Sequence, residues 1–480
     1  MTKYTLSLTV ASALYFSGCA IGPDYSRPEV AVPQQFLNSD ANTSVQKTLD
    51  LQWWKQFNDE RLSASVETAL NANYDLQISQ ASVDALLGQF DQAKSYLYPQ
   101  IDASGSLTRK GTYNAASGGR NLYNGVTSTY AGSLSLASYE IDLFGKVRRA
   151  NEAARAALLS SEYAKESVKL SIVSNVAASY VKLSSLSSQI KLANENVTVT
   201  SEILRITELK YKHGVIAETE YLQAQSEYEK AQATYSQLEA SKIAEEATFN
   251  LLLGRNPARV ETNALDSITL PEVPDALPSS ILQHRPDIAS AEQNLISANA
   301  QIGVARAQYY PSFKLTGMLG VQSLELSDFL SNPARLWEVA PSVSVPIFSA
   351  GLIAGKIKTA EADRDQMLAT YKKAIVSAFN DTDNALGQTQ KAKEQVQYQA
   401  KSSSSIKKAL EQSKLRYQVG TISYDDMLSV QQQWLQAEQS YIIAKQNALV
   451  STISLYKALG GGWEEENSAD MIPDLLPAGR

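Results

Sequence analysis

Few side chains in this sequence have the type and spacing that chemistry requires. The only cysteine is Cys19, and the two histidines, His213 and His284, stand far apart, at a predicted helix end and in a polar connection. Neither histidine has the spacing of a metal ligand, and the sequence contains no phosphate-binding loop and no catalytic set. A single cysteine also excludes a disulfide within the chain. We therefore predict a protein that is not an enzyme and has no metal site.

Cys19 follows a segment that is typical of export. Lys3 supplies a positive charge, and Tyr4 to Phe16 is largely apolar but too short to span a bilayer. The run Phe16-Ser17-Gly18-Cys19 resembles a bacterial lipoprotein cleavage box, in which the cysteine becomes the acylated first residue. Ala20 replaces the aspartate that retains enteric lipoproteins at the inner membrane, so the resemblance implies the outer membrane. The alternative is an ordinary signal peptide with an unrelated cysteine.

The composition excludes several classes of protein. The chain has 43 basic and 50 acidic residues, a net charge of -7, and no cluster of basic residues that would bind phosphates. We therefore expect no nucleic-acid partner. A mean hydropathy of -0.23 argues against a membrane protein built from several helices.

The elements that must position the remaining residues occur twice in the chain. At an offset of 206, residues 204–254 align with 410–460 with eleven identities, among them Tyr211 with Tyr417 and Gly214 with Gly420. Chance would give about three or four identities over such a length. A second block, around Tyr98-Pro99 and Tyr310-Pro311, aligns at an offset of 212. The two halves are therefore duplicates of one unit.

Each half contains one helix of unusual length. No glycine or proline lies between Gly145 and Gly214, which predicts a helix from Lys146 to Lys212, 67 residues long. At 1.5 Å per residue it is about 100 Å long. Its partner is predicted from Lys356 to Val419, interrupted only by Gly387. Each helix ends at a glycine suited to a left-handed cap and is followed by a shorter antiparallel helix. A freestanding coiled-coil scaffold is the alternative interpretation.

Each half also contains a predicted β-hairpin with alternating polarity. In the first hairpin, the alternating residues of one strand are Ile101, Ala103, Gly105 and Leu107, and those of the antiparallel strand are Tyr130, Leu134 and Leu136. In the second hairpin they are Phe313, Leu315, Leu319 and Val321 in one strand, and Val339, Val343, Val345 and Ile347 in the other. Strands of about ten residues with one apolar face suit a tilted crossing of a bilayer.

These patterns predict an α+β membrane protein with four strands per chain. The predicted order is a signal peptide (1–18), a lipidated N-terminal and equatorial segment (19–61), a helix (62–98), a β-hairpin (99–144), a long helical hairpin (145–254), an equatorial connection (255–280), a helix (281–310), a second β-hairpin (311–350), a second long helical hairpin (351–460) and a C-terminal tail (461–480). Four strands cannot close a barrel, so subunits must share strands. Two copies give eight strands and three give twelve; an eight-stranded barrel would be filled by side chains.

The sequence resembles the TolC family of outer-membrane efflux lipoproteins, in the branch that serves multidrug pumps of the RND type. The resemblance covers nearly the whole chain and lies in these stretches: Gly22 to Pro28, Trp53 to Phe57, Arg285 to Ile288, Ala298 to Ala307, Tyr310 to Ser312 and Leu455 to Trp463. It implies a homotrimer, with a twelve-stranded β-barrel in the outer membrane that continues into a periplasmic α-helical barrel. It also implies two partners, a periplasmic adaptor protein and an inner-membrane RND transporter.

The resemblance also implies a pore constriction at the tip of the second helical hairpin. Members of the family carry two aspartates one helical turn apart, which form acidic rings in the trimer. Asp426 matches the first, Asp425 adds a neighbouring carboxylate, and Ser429 stands at the second position. Gln432 occupies a position where relatives often have arginine, so this chain lacks the basic partner of an ion pair that could hold the tip closed. The alternative is a solvated acidic pair that is favoured by the helix dipole.

Adaptor contact is expected at the two hairpin tips. The matching positions are Lys212, His213, Gly214 and Val215 in the first turn, and Val419, Gly420 and Thr421 in the second. Two ordinary tight turns are the alternative. For the function as a whole, the alternatives are a channel for metal-ion efflux or type I protein secretion, and a periplasmic coiled-coil lipoprotein that has no pore.

Overall fold

The computed structural model describes residues 20–33, 35–38, 51–111, 114–115, 121–122, 126–271, 284–461 and 463. The predicted signal peptide and the predicted lipidation site, Cys19, lie outside these residues. The chain divides into two compact units, the first formed by Met1–Glu29, Ser82–Glu162 and Ser290–Tyr371 and the second by Val30–Ala81, Tyr163–Ala289 and Lys372–Arg480.

Two helices, α1 (Glu60–Ala72) and α2 (Tyr74–Ser95), precede the first strand. The sequence pattern predicts one helix over 62–98, but Asn73 has an extended backbone and divides it. The side-chain oxygen of Asn73 accepts the backbone N–H groups of Asp75 at 2.8 Å and Leu76 at 3.2 Å. Asparagine competes in this way with helix continuation, because its side chain satisfies the first donors of a new helix.

Both halves contain the same long helical hairpin. Helices α3 (Lys146–Lys212) and α4 (Glu218–Leu252) have 67 and 35 residues. In the second half, α7 (Leu352–Gln418) and α8 (Tyr424–Ala458) have the same lengths, 67 and 35 residues. Helix α7 begins four residues before the predicted Lys356 and continues through Gly387. At Gly387 a Cβ would lie only 3.0 Å from the Asn38 side chain, so the missing side chain leaves room for Asn38.

All four of these helices end in the same capping geometry. Gly214, Gly254, Gly420 and Gly460 have positive φ angles between 66° and 90°. At each of them the glycine N–H and the next N–H bond to carbonyls of the last helical turn, as Gly420 does to Tyr417 at 3.0 Å. This is the Schellman arrangement, which glycine favours because it has no Cβ to oppose a left-handed backbone.

A four-stranded antiparallel sheet lies in the first unit. Its strands are β1 (Ile101–Gly111), β2 (Val126–Ile141), β3 (Ser312–Ser323) and β4 (Ala334–Ser344), paired in the order β1-β2-β3-β4. Helix α5 (Pro286–Ala307) precedes β3, and a short helix that the sequence pattern did not predict, α6 (Leu326–Ser331), joins β3 to β4. The prediction that Val345 and Ile347 belong to the last strand is wrong, since β4 ends at Ser344, before Pro346. Proline has no N–H to donate to a strand partner.

The register of the strands separates the sheet into two faces. Alternation places a mainly apolar set of side chains on the first face, which also carries Arg109 and Arg335. The apolar set is Ile101, Leu107, Leu134, Leu136, Phe313, Leu315, Leu319, Val321, Trp337, Val339 and Val343. The second face carries Asp102, Ser104, Ser106, Ser133, Ser135, Lys314, Thr316, Gln322, Glu338 and Ser342. We call the first the apolar face and the second the polar face.

The second unit has an aromatic core. Trp53, Phe57, Tyr180, Phe249 and Tyr456 are buried together, and the rings of Trp53 and Tyr456 stack with centroids 5.1 Å apart. This cluster joins the short 3-10 helix Trp53–Phe57 to the long helices. Within the described ranges, no helix carries an apolar stretch that could span a membrane.

Candidate functional site

The two helical hairpin tips lie side by side. The last turns of α3 and α7 approach each other there, since the Nζ of Lys210 lies 6.0 Å from the ring centroid of Tyr417. All seven residues predicted to form the adaptor contact are exposed, namely Lys212, His213, Gly214, Val215, Val419, Gly420 and Thr421. Val215 is 68% and Val419 73% exposed, so each tip presents an apolar side chain to solvent.

Each tip is supported by a pair of tyrosines. Tyr211 and Tyr221 stack in parallel with centroids 5.4 Å apart, and Tyr417 and Tyr424 pack at 6.1 Å. Burial, with smaller contributions from the nearby Tyr417, Glu227 and Asp425, raises the pKa of Tyr424 to about 12. The Tyr424 phenol is therefore neutral at physiological pH. Sequence reasoning did not single out these rings, although Tyr211 and Tyr417 are identical positions of the repeat.

Lys212, at the end of α3, forms an ion pair within its own helix. The Nζ of Lys212 bonds to the Oε1 of Glu208 at 2.6 Å, and this hydrogen bond raises the pKa of Lys212. Thr421 likewise stays local, because its Oγ1 donates to the carbonyl of Arg416 at 3.0 Å.

The structure places the predicted constriction residues on the exposed start of α8. Asp425, Asp426 and Ser429 are all exposed, while Met427 between them is buried. The Oδ2 of Asp426 accepts the N–H of Ser423 at 3.2 Å and its hydroxyl at 2.7 Å, and the Asp426 N–H donates to Ser423 Oγ at 3.1 Å. These reciprocal bonds form a capping box. Asp426 therefore caps α8 within one chain, and its place in an acidic ring stays a prediction.

Gln432 links two helices at the tip without an ion pair. Its Nε2 donates to Glu227 Oε2 of α4 at 3.0 Å, and the neighbouring Gln431 bonds to Asn196 of α3 at 3.4 Å. The link therefore joins one charged and one neutral side chain. The sequence did not single out Glu227, because its neighbours in the chain do not distinguish it from other helical glutamates.

In the first unit, the segment that follows Cys19 is bound tightly to helices α3 and α5. Two nitrogens of the Arg27 guanidinium group donate to the two carboxylate oxygens of Glu292, with Nε to Oε1 at 2.7 Å. The hydroxyl of Tyr25 donates to the same Oε1 at 2.9 Å. Burial and the Glu292 hydrogen bond raise the pKa of Tyr25. Arg149, buried in α3, bonds to Asp24 at 2.5 Å. Sequence reasoning noted this motif only as part of the family resemblance.

The described residues contain no group of three His, Cys, Asp or Glu side chains that is arranged to hold a metal ion.

Comparison with known proteins gives a consistent result. The chain matches the model of the outer membrane efflux protein family over residues 65–255 and 277–461. It is 34% identical over 473 residues to the probable efflux pump outer membrane protein TtgC of Pseudomonas putida, covering 97% of each chain. It is 30% identical over 455 residues to the cation efflux system protein CusC of Escherichia coli K12, covering 94% of this chain and 98% of that relative.

Solved structures agree with this assignment. The Campylobacter jejuni CmeC outer membrane channel superimposes with a TM-score of 0.86 at 28% identity, covering 96% of this chain and 99% of that one. The open state of the Neisseria gonorrhoeae MtrE outer membrane channel gives 0.83 at 30% identity, covering 93% and 99%. The predicted fold class, family and outer-membrane location are confirmed. The chain belongs to the outer membrane efflux protein family.

Proposed function

We propose that three copies of this chain form a passive outer-membrane exit channel for small molecules in a tripartite efflux system. One observation carries the proposal: a four-stranded sheet with one apolar face is joined directly to two 67-residue helices. The apolar face suits contact with lipid, and the polar face suits a water-filled interior. The long helices suit a duct that continues away from the membrane.

The edges of the sheet support an assembly of several chains. Within the described sheet, β1 and β4 each have only one neighbouring strand. In hydrocarbon an unpaired edge would leave N–H and C=O groups unsatisfied, at several kcal/mol each. Pairing β4 of one chain with β1 of the next removes every edge. Three copies give twelve strands, which leave an open interior, whereas eight strands would be filled by side chains.

An exit channel of this kind needs partners that supply energy and cargo. The exposed tips formed by 212–215 and 419–421 would bind a periplasmic adaptor, and an inner-membrane RND transporter would drive export. The matched relatives carry names that refer to antibiotic, toluene and cation efflux. One channel fold thus accompanies different cargoes, which supports a passive duct, with cargo selected by the transporter. A lipid on Cys19 would hold the subunit at the outer membrane.

Conductance in planar bilayers tests the function directly. Full-length purified protein should insert as discrete conducting units, because a closed twelve-stranded wall encloses water. The control is the same protein denatured by heat before addition. Absence of conductance from correctly folded protein, both alone and with its adaptor, would contradict the proposal.

Asp426 is the proposed constriction residue, and its role can be separated from its capping role. An acidic ring attracts cations, so Asp426→Asn should lower the cation-to-anion permeability ratio several-fold. Asparagine can still accept the bonds from Ser423, and the cap is therefore kept. Measuring reversal potentials in a salt gradient gives the ratio. Ser423→Ala is the matched control, since it weakens the cap and leaves the charge; an unchanged ratio in Asp426→Asn would exclude the ring.

A further inference from the structure

The short helix α6 lies on the apolar face of the sheet. A Cβ built on Gly132 would be 3.2 Å from Cζ of Phe329 and 3.9 Å from Cγ2 of Val321. Gly132 and Val321 are directly paired, and their side-chain positions therefore share the apolar face. Gly132 also pairs with Gly105 of β1. Two neighbouring positions without side chains thus form a recess, and the Phe329 ring lies over its Gly132 half.

The other apolar residues around α6 remain outside this recess. Leu324, Leu326 and Leu330 are 63%, 57% and 84% exposed. Leu326, Phe329 and Leu330 are spaced as i, i+3 and i+4, so they lie close together on one side of the helix. Leu319 and Trp337, which pair with each other on the apolar face of the sheet, are also exposed, at 63% and 79%.

Two arginines lie on the apolar face at the same end of the sheet. Arg335 is paired with Val321 and therefore lies level with the recess. Arg109 is paired with Ser128, which is two residues closer than Tyr130 to the α6 end of the sheet. Both are exposed, and neither has an ion-pair partner among the residues that the structure describes. Arginine can lay its apolar stem along such a surface and extend its guanidinium group to lipid phosphates. Lys110, the neighbour of Arg109, lies on the polar face.

We propose that α6 and these arginines form a contact with the membrane lipid at the outer rim of the sheet. Leu326 and Leu330 enter the border of the acyl chains, and Arg109 and Arg335 bind headgroup phosphates. The connection that holds α6 is at the end of the strands opposite to the long helices, which is the outer leaflet side. The inference rests on the proposed function, because it requires the apolar face to contact lipid.

Spin labels report the position of each face in a bilayer. Full-length acylated protein, with single cysteines introduced by Leu330→Cys, Leu134→Cys or Ser133→Cys, is labelled and reconstituted in vesicles of phosphatidylethanolamine and phosphatidylglycerol. Collision with oxygen indicates lipid, and collision with a water-soluble nickel chelate indicates water. We expect lipid exposure at Leu134, shallower lipid exposure at Leu330 and water exposure at Ser133, because Ser133 is on the polar face.

The three labels distinguish a failure of the proposed membrane barrel from a failure of the proposed lipid contact of α6. If the label at Leu134 is in water, the membrane barrel itself is excluded. If Leu134 is in lipid while Leu330 is in water, the barrel stands and the role of α6 is overturned. Phe329→Ser in the Leu330-labelled protein should increase label mobility, since the ring no longer fills the recess; unchanged mobility would exclude this anchoring.

Lipid retention tests the arginines. Native mass spectrometry of the detergent-purified protein with added phosphatidylglycerol should show bound lipid, and the double variant R109Q/R335Q should retain at least two-fold less. The matched control is Lys110→Gln, which removes a neighbouring charge from the opposite face and should retain lipid as the unmodified protein does. Equal retention by R109Q/R335Q and the unmodified protein would overturn the phosphate contact.

Discussion

At the scale of single residues, the duplicated halves differ in how their short helices begin. Ser423 caps α8 with its side chain, whereas Ala217, the equivalent residue under the offset of 206, provides no side-chain cap for α4. Ser423→Ala should destabilise the first turn of α8 by roughly 0.5–2 kcal/mol. Ala217→Ser should stabilise α4, because Glu220 stands at the third helical position and can complete a capping box. Hydrogen exchange of the two first turns measures both; equal protection in all three proteins would contradict the prediction.

A buried tyrosine predicts a loss of stability in alkali. The Tyr180 hydroxyl donates to Asp59 at 3.1 Å and accepts the Asn263 N–H at 3.1 Å. Burial, with the charge of Asp59, raises its pKa from 10.0 to about 12. The folded chain then keeps a proton that the unfolded chain loses, so stability is fully present below about pH 9 and falls as pH rises from about 10 to 12. Urea midpoints across this range should fall less steeply in Tyr180→Phe; an identical slope would exclude the effect.

At the scale of elements, two capping glycines share a left-handed backbone but differ in how closely other atoms pack against them. Gly420 and Gly460 both have positive φ, 79° and 90°. A Cβ at Gly420 would meet nothing within 4 Å, whereas one at Gly460 would lie 1.7 Å from the carbonyl oxygen of His284. Gly420→Ala should cost only about 1–2 kcal/mol for its left-handed conformation.

Gly460→Ala should be far more damaging, because a backbone carbonyl cannot move aside as a side chain can. Thermal melting of the detergent-purified proteins compares the two variants, and the yield of folded protein provides the second measurement. Similar melting temperatures for Gly420→Ala and Gly460→Ala would show that the close approach at His284 relaxes without cost.

At the scale of the whole molecule, the free edges of the sheet predict the stoichiometry. The protein purified in mild detergent should have three times the mass of the 52.3 kDa chain, after correction for the signal peptide, lipid and detergent. Light scattering with refractive-index detection provides this mass. Only the trimeric fraction should conduct in bilayers, because one chain has four strands and cannot close a wall. A conducting dimer or monomer would contradict the prediction.

The repeating elements of this protein can be predicted from local signals in its sequence. The absence of glycine and proline from 146–212 set one uninterrupted helix, and Gly214 and Gly420 set its end and that of its partner, because these signals act within a few residues of the backbone. Strand alternation likewise predicted one apolar face. The family resemblance added the outer-membrane function, which the comparisons confirmed.

The contacts between residues that are distant in sequence become visible in the folded chain. The bond from the Asn73 amide to the Leu252 carbonyl, the link from Gln432 to Glu227, the binding of Arg27 and Tyr25 by Glu292, and the position of Phe329 over Gly132 all depend on neighbours far along the chain or on strand register. No local pattern encodes such contacts, because the same side chains would be stable in solvent on an isolated helix or strand. Register and helix packing select among these possibilities, and both are properties of the folded chain.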